Sequence, residues 1–322
     1  MGLELKLDKD MECNIKKYFD KMNGSMPSNN TKQAYKPKGS QFLTNEMGTA
    51  PGIYIEWNGK ILILLPGPPK EMKFMFDKYA IPLIKQDYTI KIKTINTIGI
   101  GESKLETVLK DIIQGQENPT IATYAKEGKV DIKVVARGSD EKKVDKLLNE
   151  IIEKIDGKIH KYIYSYNDES IEEVVYKKLK ANNMKIAFCE SCTGGLISSR
   201  FTSIPGVSEV FDRGIVTYSN RANVEELGVK KNTLDKYGAV SEQVALEMAT
   251  GLLNKAGVDI ALSTTGLAGP SGGTEDKPVG LVYIGIAAKN HSFVFKSVFS
   301  GDRLSIQNRA ALKAFDELRK II

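Results

Sequence analysis

Two cysteines three apart, two hydroxyl residues and two glycines stand together in "CESCTGG", Cys189 to Gly195. A redox pair needs an exposed thiol of low pKa at a helix start. Cys192 stands at such a place, whereas Cys189 ends an apolar run. A zinc site needs two further soft ligands at suitable spacing, and the sequence supplies none. The cysteines therefore read as small apolar packers. Ser191, Thr193, Gly194 and Gly195 offer a hydroxyl, backbone N–H groups and close approach at a helix N-terminus. That is either an anion cradle or an ordinary capped strand-to-helix turn. In "PGVSEVFDRGIVTYSN", Ser208 follows a Pro-Gly turn and Tyr218 ends a strand. A serine attacks a carbonyl only when a base shares its proton. With no histidine nearby, that work falls to a lysine or a tyrosinate; taken singly, Ser208 reads as a helix cap and Tyr218 as a strand aromatic. "STTGLAGPSGGTEDKPVG" places Thr264, Thr265 and Gly266 at a strand end before a loop containing Gly269, Gly272 and Gly273. Its Glu275, Asp276 and Lys277 read as solvated charges. In "SGDR", Arg303 lies just inside a helix start and can fork onto phosphate or carboxylate; an exposed arginine beside a cap is the alternative.

These residues must be held by regular elements, and the chain divides into three sections. The first, residues 1–87, contains "GIYIEWNGKILILLPGPPKEM", which reads as a hairpin around "NG" followed by a helix with early prolines. The second, residues 88–167, reads as a small α+β unit. "TIKIKTINTIGI" and "KVDIKVVARG" alternate as strands, "GESKLETVLKDII" is a helix with Ser103 and Glu106 as a capping pair, and "DEKKVDKLLNEIIEKI" is an amphipathic helix. The third, residues 168–322, alternates helices and strands. Ile171, Val174, Val175 and Leu179 form one helical face, "KIAFC" is a buried strand, and "SEQVALEMATGLLNKAG" is a helix stopped at Gly257. "VGLVYIGIAAK" and "SFVFKSVFS" form a hairpin before a closing helix. The expected fold class is α/β: a layered α/β/α C-terminal domain, preceded by the α+β unit and an α/β segment. In such sheets ligands sit at the carboxyl ends of strands.

Composition excludes several classes. A chain of 322 residues exceeds one ordinary core, and its 41% hydrophobic content argues against general disorder. The net charge of +6 is dispersed over scattered lysines, so no nucleic-acid footprint is expected. No apolar run reaches the length of a membrane span, and "MGLELKLDKD" does not read as a secretory leader. A cytoplasmic location without structural disulfides is expected from three cysteines in a reducing setting. His160 and His291 lie far apart, so a histidine metal site or Ser-His triad is poorly supplied; no metal and no cofactor are expected.

The motifs "ESCTGG", "GVSEVFDRGIVTYSN", "GAVSEQVALEMA", "TTGLAGPSGGTEDKPVG" and "SGDR", in this order and spacing, closely resemble the C-terminal domain of the CinA (competence/damage-inducible protein) family. The resemblance covers Ile171 to the C-terminus. "MPSNNTKQA", "GTAPGIYIEWNGK" and "LPGPPKEM" resemble the later part of the family's molybdopterin-binding-like domain, and "GIGESKLE" its small linking domain. The resemblance implies hydrolysis of the amide of nicotinamide mononucleotide to the acid and ammonia. It implies Ser208 as nucleophile, assisted by Tyr218 and by a lysine five residues later, a position held here by Asn223. It further implies oxyanion and substrate contacts through Thr265 and Arg303, with Ser191, Thr193, Gly194, Gly195 and Gly266 around the substrate. The implied partners are a small nucleotide substrate and a second copy of the chain, as a homodimer. The family's glycine-threonine-aspartate loop has no counterpart after Met1-Gly2, so ADP-ribose pyrophosphatase activity is not expected of this chain.

Overall fold

A computed structural model describes residues 2–84 and 89–322. They fall into two compact units, divided between the first section and the rest. The section boundary expected at Asp87 and Tyr88 lies outside the described residues.

In the first unit, strand β1 (Leu5–Leu7) and helix α1 (Lys9–Lys21) precede β2 (Tyr35–Pro37), which pairs antiparallel with β1. Strands β3 (Gln41–Leu43), β4 (Gly52–Trp57) and β5 (Lys60–Leu64) form an antiparallel sheet, followed by α2 (Pro69–Met75). The "NG" turn forms as its residues require. Asn58 and Gly59 take φ of +49° and +72°, and Trp57 pairs with Lys60, the left-handed pair of a two-residue hairpin. Pro69 occupies the first helical turn of α2, where its missing N–H costs nothing. A small core gathers Leu43, Tyr54, Met75 and Ala80.

The second unit begins with a four-stranded antiparallel sheet. Its strands are β6 (Thr89–Ile98), β7 (Thr120–Lys126), β8 (Lys129–Gly138) and β9 (Ile163–Ser165), in the order β7-β8-β6-β9. Helices α3 (Glu102–Val108), α4 (Lys110–Ile113) and α5 (Glu141–Ile159) complete it. Ile95, Ile132, Val134, Leu105 and Leu148 share its core. The expected capping pair does not form. Gly101 is the N-cap of α3, so Ser103 and Glu106 lie inside the helix, and Glu106 instead accepts from the Thr123 hydroxyl at 3.2 Å.

The layered part follows, opened by α6 (Ile171–Ala181), whose Ser170 and Glu173 form a reciprocal capping box. Then come β10 (Ile186–Glu190), α7 (Leu196–Thr202), β11 (Phe211–Val216), α8 (Asn220–Leu227), α9 (Lys231–Tyr237) and α10 (Glu242–Ala256). The chain closes with β12 (Ile260–Gly266), β13 (Leu281–Ala288), β14 (Ser292–Val298) and α11 (Arg303–Ile321). The five strands run in the order β11-β10-β12-β13-β14. β10 is parallel to both β11 and β12, whereas β13 and β14 continue antiparallel. Gly257, at φ +64°, ends α10 as expected.

Period-two alternation divides β10 between two cores. Ile186 and Phe188 face α6, α7 and α11, and Ala187 and Cys189 face the side of α8, α9 and α10. On the first side Phe188, Phe201 and Phe315 meet with ring centroids 5.4 to 6.2 Å apart, in the range of favourable aromatic pairs. On the second, α10 approaches α8 so closely that a Cβ on Gly251 would lie 1.7 Å from the Leu227 carbonyl oxygen. A Gly251→Ala substitution forces these helices apart. It is expected to destabilise the protein by about 1–3 kcal/mol, read as a lower urea midpoint; an unchanged midpoint would show that the contact is slack.

Candidate active site

Alternation also places Glu190 on the α7 side of the sheet, with no solvent exposure. Its carboxylate accepts five hydrogen bonds. Oε2 receives the Thr193 hydroxyl at 2.7 Å and the amides of Gly195 and Ile197 at 3.1 and 3.0 Å. Oε1 receives the Ser198 amide at 2.8 Å and the Ser198 hydroxyl at 2.7 Å. The start of a helix is a natural anion site, and here a side chain of the protein fills it. Gly195 makes the turn possible, standing at φ +96° immediately before α7. Because the single hydroxyl proton of Thr193 goes to Glu190, Thr264 donates in the 2.7 Å contact between the two threonines.

This corrects the expectation of an open cradle at Ser191 to Gly195. Thr193 is buried and its hydroxyl engaged, while the Gly195 amide is bound to Glu190 and the Gly194 amide to the Ser191 carbonyl. Sequence reasoning passed over Glu190, although an acidic residue closing a buried strand just before Thr-Gly-Gly was a usable signal.

The same anchor holds Ser191 at the carboxyl end of β10. There a crevice of about 230 Å³ is lined by Ser191, Tyr218, Thr265, Gly266 and Arg303. Three parallel strands deliver the first four: Ser191 follows β10, β11 leads to Tyr218, and β12 ends in Thr265 and Gly266. Arg303 comes from the first position of α11, whose N-cap Asp302 accepts from the Ser305 amide at 2.8 Å. Its guanidinium donates to the Gly269 carbonyl at 2.7 Å and to the Tyr218 hydroxyl oxygen at 2.6 Å. Tyr218 is 63% exposed, so this bond, rather than packing, fixes its direction. The Thr265 hydroxyl donates to the Ala239 carbonyl at 2.9 Å, which ties the wall formed by Ala239 and Val240 to β12. At Gly266 a Cβ would stand 2.6 Å from the Leu281 carbonyl, so only glycine fits.

Ser208 does not join this group. It is exposed in a 3₁₀ turn ahead of β11, whereas Tyr218 follows β11. Six strand residues at about 3.3 Å each separate the two ends by about 20 Å. The serines that line the crevice with Tyr218 are Ser191 and Ser271. Asn223, in the first turns of α8, is 2% exposed and its Oδ1 has no hydrogen-bond partner among the described residues. Lys277 donates to the Tyr237 carbonyl at 2.6 Å rather than standing free in solvent.

Both cysteines of the motif are buried. Burial pushes the Cys192 thiol up to about 12 and that of Cys189 higher still, so neither forms a thiolate near neutral pH. No group of residues suited to hold a metal occurs among the described residues.

Comparison with known proteins matches two stretches of the chain. Residues 168–322 match the CinA C-terminal domain, and residues 92–165 match the damage-inducible protein CinA KH domain. A protein of Caldicellulosiruptor saccharolyticus, named as competence-damage inducible, is 48% identical over 323 aligned residues, covering 100% of this chain and 79% of that protein. The chain belongs to the CinA family. A CinA-like protein of Kosmotoga olearia is 46% identical over 96% of this chain and 75% of its own length. Among solved structures, the competence/damage inducible protein CihA from Agrobacterium tumefaciens is 38% identical, covering 48% of this chain and 96% of that one, with a TM-score of 0.45. Among the described residues of this CinA protein, no helix is long and apolar enough to cross a membrane.

Two outcomes are expected from this geometry. A thiol reagent at pH 8 should label the exposed Cys13 alone in the folded protein and all three cysteines after denaturation; fast labelling of Cys192 would restore the redox reading. Glu190→Gln turns an acceptor into an amide N–H₂ facing other donors. It should lower stability by about 1–3 kcal/mol, measured by urea unfolding.

Proposed function

We propose that the chain is a nicotinamide-nucleotide amidohydrolase in which Ser191 is the nucleophile. The observation that carries the reading is the convergence of Ser191, Tyr218, Thr265 and Arg303 on one crevice at the carboxyl ends of three parallel strands, the usual ligand position in such sheets. In this reading the Ser191 oxygen attacks the amide carbon, Tyr218 takes the serine proton on its oxygen while giving its own O–H proton to the departing nitrogen, and the C–N bond breaks to release ammonia. An acyl ester on Ser191 remains, and water then cleaves it. Tyr218 already accepts a hydrogen bond from Arg303, so its own O–H is free to point into the crevice. Because Glu190 occupies the start of α7, the substrate phosphate falls to Arg303 at the rim. The nucleotide should therefore bind more tightly than nicotinamide, and Arg303→Met should remove most of the difference.

The weak part of the machinery is Asn223. A lysine is implied there by the resemblance, and an amide side chain accepts no proton. General acid–base assistance typically contributes about 10²–10⁴-fold, so slow turnover is expected. That position also favours a second reading, a nucleotide-binding CinA protein without turnover. Ammonia release and calorimetric binding of nicotinamide mononucleotide on one sample separate the two.

For the enzyme reading, Ser191→Ala should abolish ammonia release, Ser208→Ala should leave it within about twofold, and Asn223→Lys should raise kcat with little change in KM. Loss of activity in Ser208→Ala with retention in Ser191→Ala would reverse the assignment. Binding without ammonia release in both the native chain and Asn223→Lys would favour the second reading.

A further inference from the structure

The tip of the β7–β8 hairpin rests on α11. Asn308 donates to the Glu127 carboxylate at 3.3 Å, and a Cβ on Gly128 would stand 2.7 Å from a Leu312 methyl group. Beside this contact lies a crevice of about 370 Å³, within the range of small-molecule sites. Ile98, Phe299 and Leu312 give it apolar walls.

The charged groups around it are of two kinds. Lys126 is paired with Asp131, Lys313 with Glu317, and Asp316 with Arg319 and Lys320. Arg309 and Lys129 make no salt bridge among the described residues. Arg309 donates one Nη1 bond to the Ser300 hydroxyl at 3.2 Å, and its Nε–H is closed off from solvent without an acceptor. The Lys129 ammonium donates to the Tyr164 phenol at 3.2 Å and lies 5.9 Å from the centre of its ring. Two cationic side chains line one crevice here without a carboxylate partner among the described residues. An anion entering the crevice supplies the missing counter-charge. On the rim, Glu102 makes no salt bridge among the described residues, and its charge disfavours a heavily anionic ligand.

We propose that this crevice is a second ligand site. It takes a small organic anion, whose single carboxylate or phosphate meets Arg309 and Lys129 and whose apolar body lies against Ile98, Phe299 and Leu312. The site is separate from the Ser191 crevice, yet both depend on α11. Arg309 follows Arg303 by six residues, about 9 Å along the helix.

The test is ligand binding to the full chain by calorimetry, with benzoate, phenyl phosphate and inorganic phosphate as probes. At least one of the two aromatic anions should bind with a Kd below about 1 mM, and inorganic phosphate, lacking the apolar body, about tenfold more weakly. Preference between benzoate and phenyl phosphate identifies the head group. Arg309→Met should weaken binding about tenfold or more, while Arg303→Met leaves it unchanged. If Arg309→Met fails to fold by circular dichroism, Lys129→Gln takes its place, with a several-fold loss expected. Absence of binding by both aromatic anions overturns the proposal. So does binding that survives loss of Arg309 or Lys129, or that depends on Arg303 instead.

Discussion

The layered domain turns on one buried carboxylate. Glu190 ends β10, the middle one of the three parallel strands, and the next helix starts within a few residues. Its two oxygens gather the donors of that start, so the strand-to-helix connection has one low-energy shape. Ser191 inherits its position from this arrangement. So does the chemistry of the crevice: the helix N-terminus, in other folds an open seat for phosphate, is already occupied. In the proposed function, recognition of an anion passes from backbone amides, which are fixed, to Arg303, which is a side chain and reaches across from another element.

Arg303 in turn makes the crevice a joint structure. One guanidinium holds the Gly269 carbonyl and the Tyr218 phenol, joining the loop after β12, the segment after β11 and the start of α11. The far end of α11 is also held, since Lys178 on α6 donates to the carbonyls of Arg319 and Ile322 at 2.5 and 3.0 Å. Between these ends Ala311, Ala314, Phe315 and Leu318 are buried in the main core. A helix secured at both ends and along one side is a stable mount for a side chain that must reach into solvent.

Local chemistry was the legible part of the sequence. The Asn58–Gly59 turn, Pro69 at a helix start and Gly257 at a helix end each follow from a residue's own backbone preferences, so no tertiary information was needed. Five of the residues singled out as site candidates, Ser191, Tyr218, Thr265, Gly266 and Arg303, share one crevice, because strand-end loops in a parallel sheet open on the same edge. Ser208 failed for the complementary reason. It precedes the strand that Tyr218 follows, and nearness in sequence conceals the length of strand between them. Glu190 was missed because its role depends on which face of the sheet the next helix covers, and alternation alone does not say this. The Ser103–Glu106 pair misled because Gly101 provides an extended N-cap without a side chain.

The loop that borders the crevice is closed at its base. The Leu267 amide donates to the Leu281 carbonyl at 2.8 Å, the Gly280 amide to the Leu267 carbonyl at 2.7 Å, and the Phe299 amide to the Gly280 carbonyl at 2.9 Å. Gly280, at φ +93°, leaves no room for a Cβ beside the Phe299 carbonyl, so the clasp itself tolerates little change. Residues 270–276 beyond it are exposed. Lengthening a loop whose ends are already joined adds little closure entropy, about 0.6 kcal/mol for each doubling. Over evolutionary time, insertions and substitutions there can reshape the entrance to the crevice while the β12–β13 ladder stays in register. The fold thus lets the shape of that entrance drift between lineages with little penalty to the scaffold that holds Ser191.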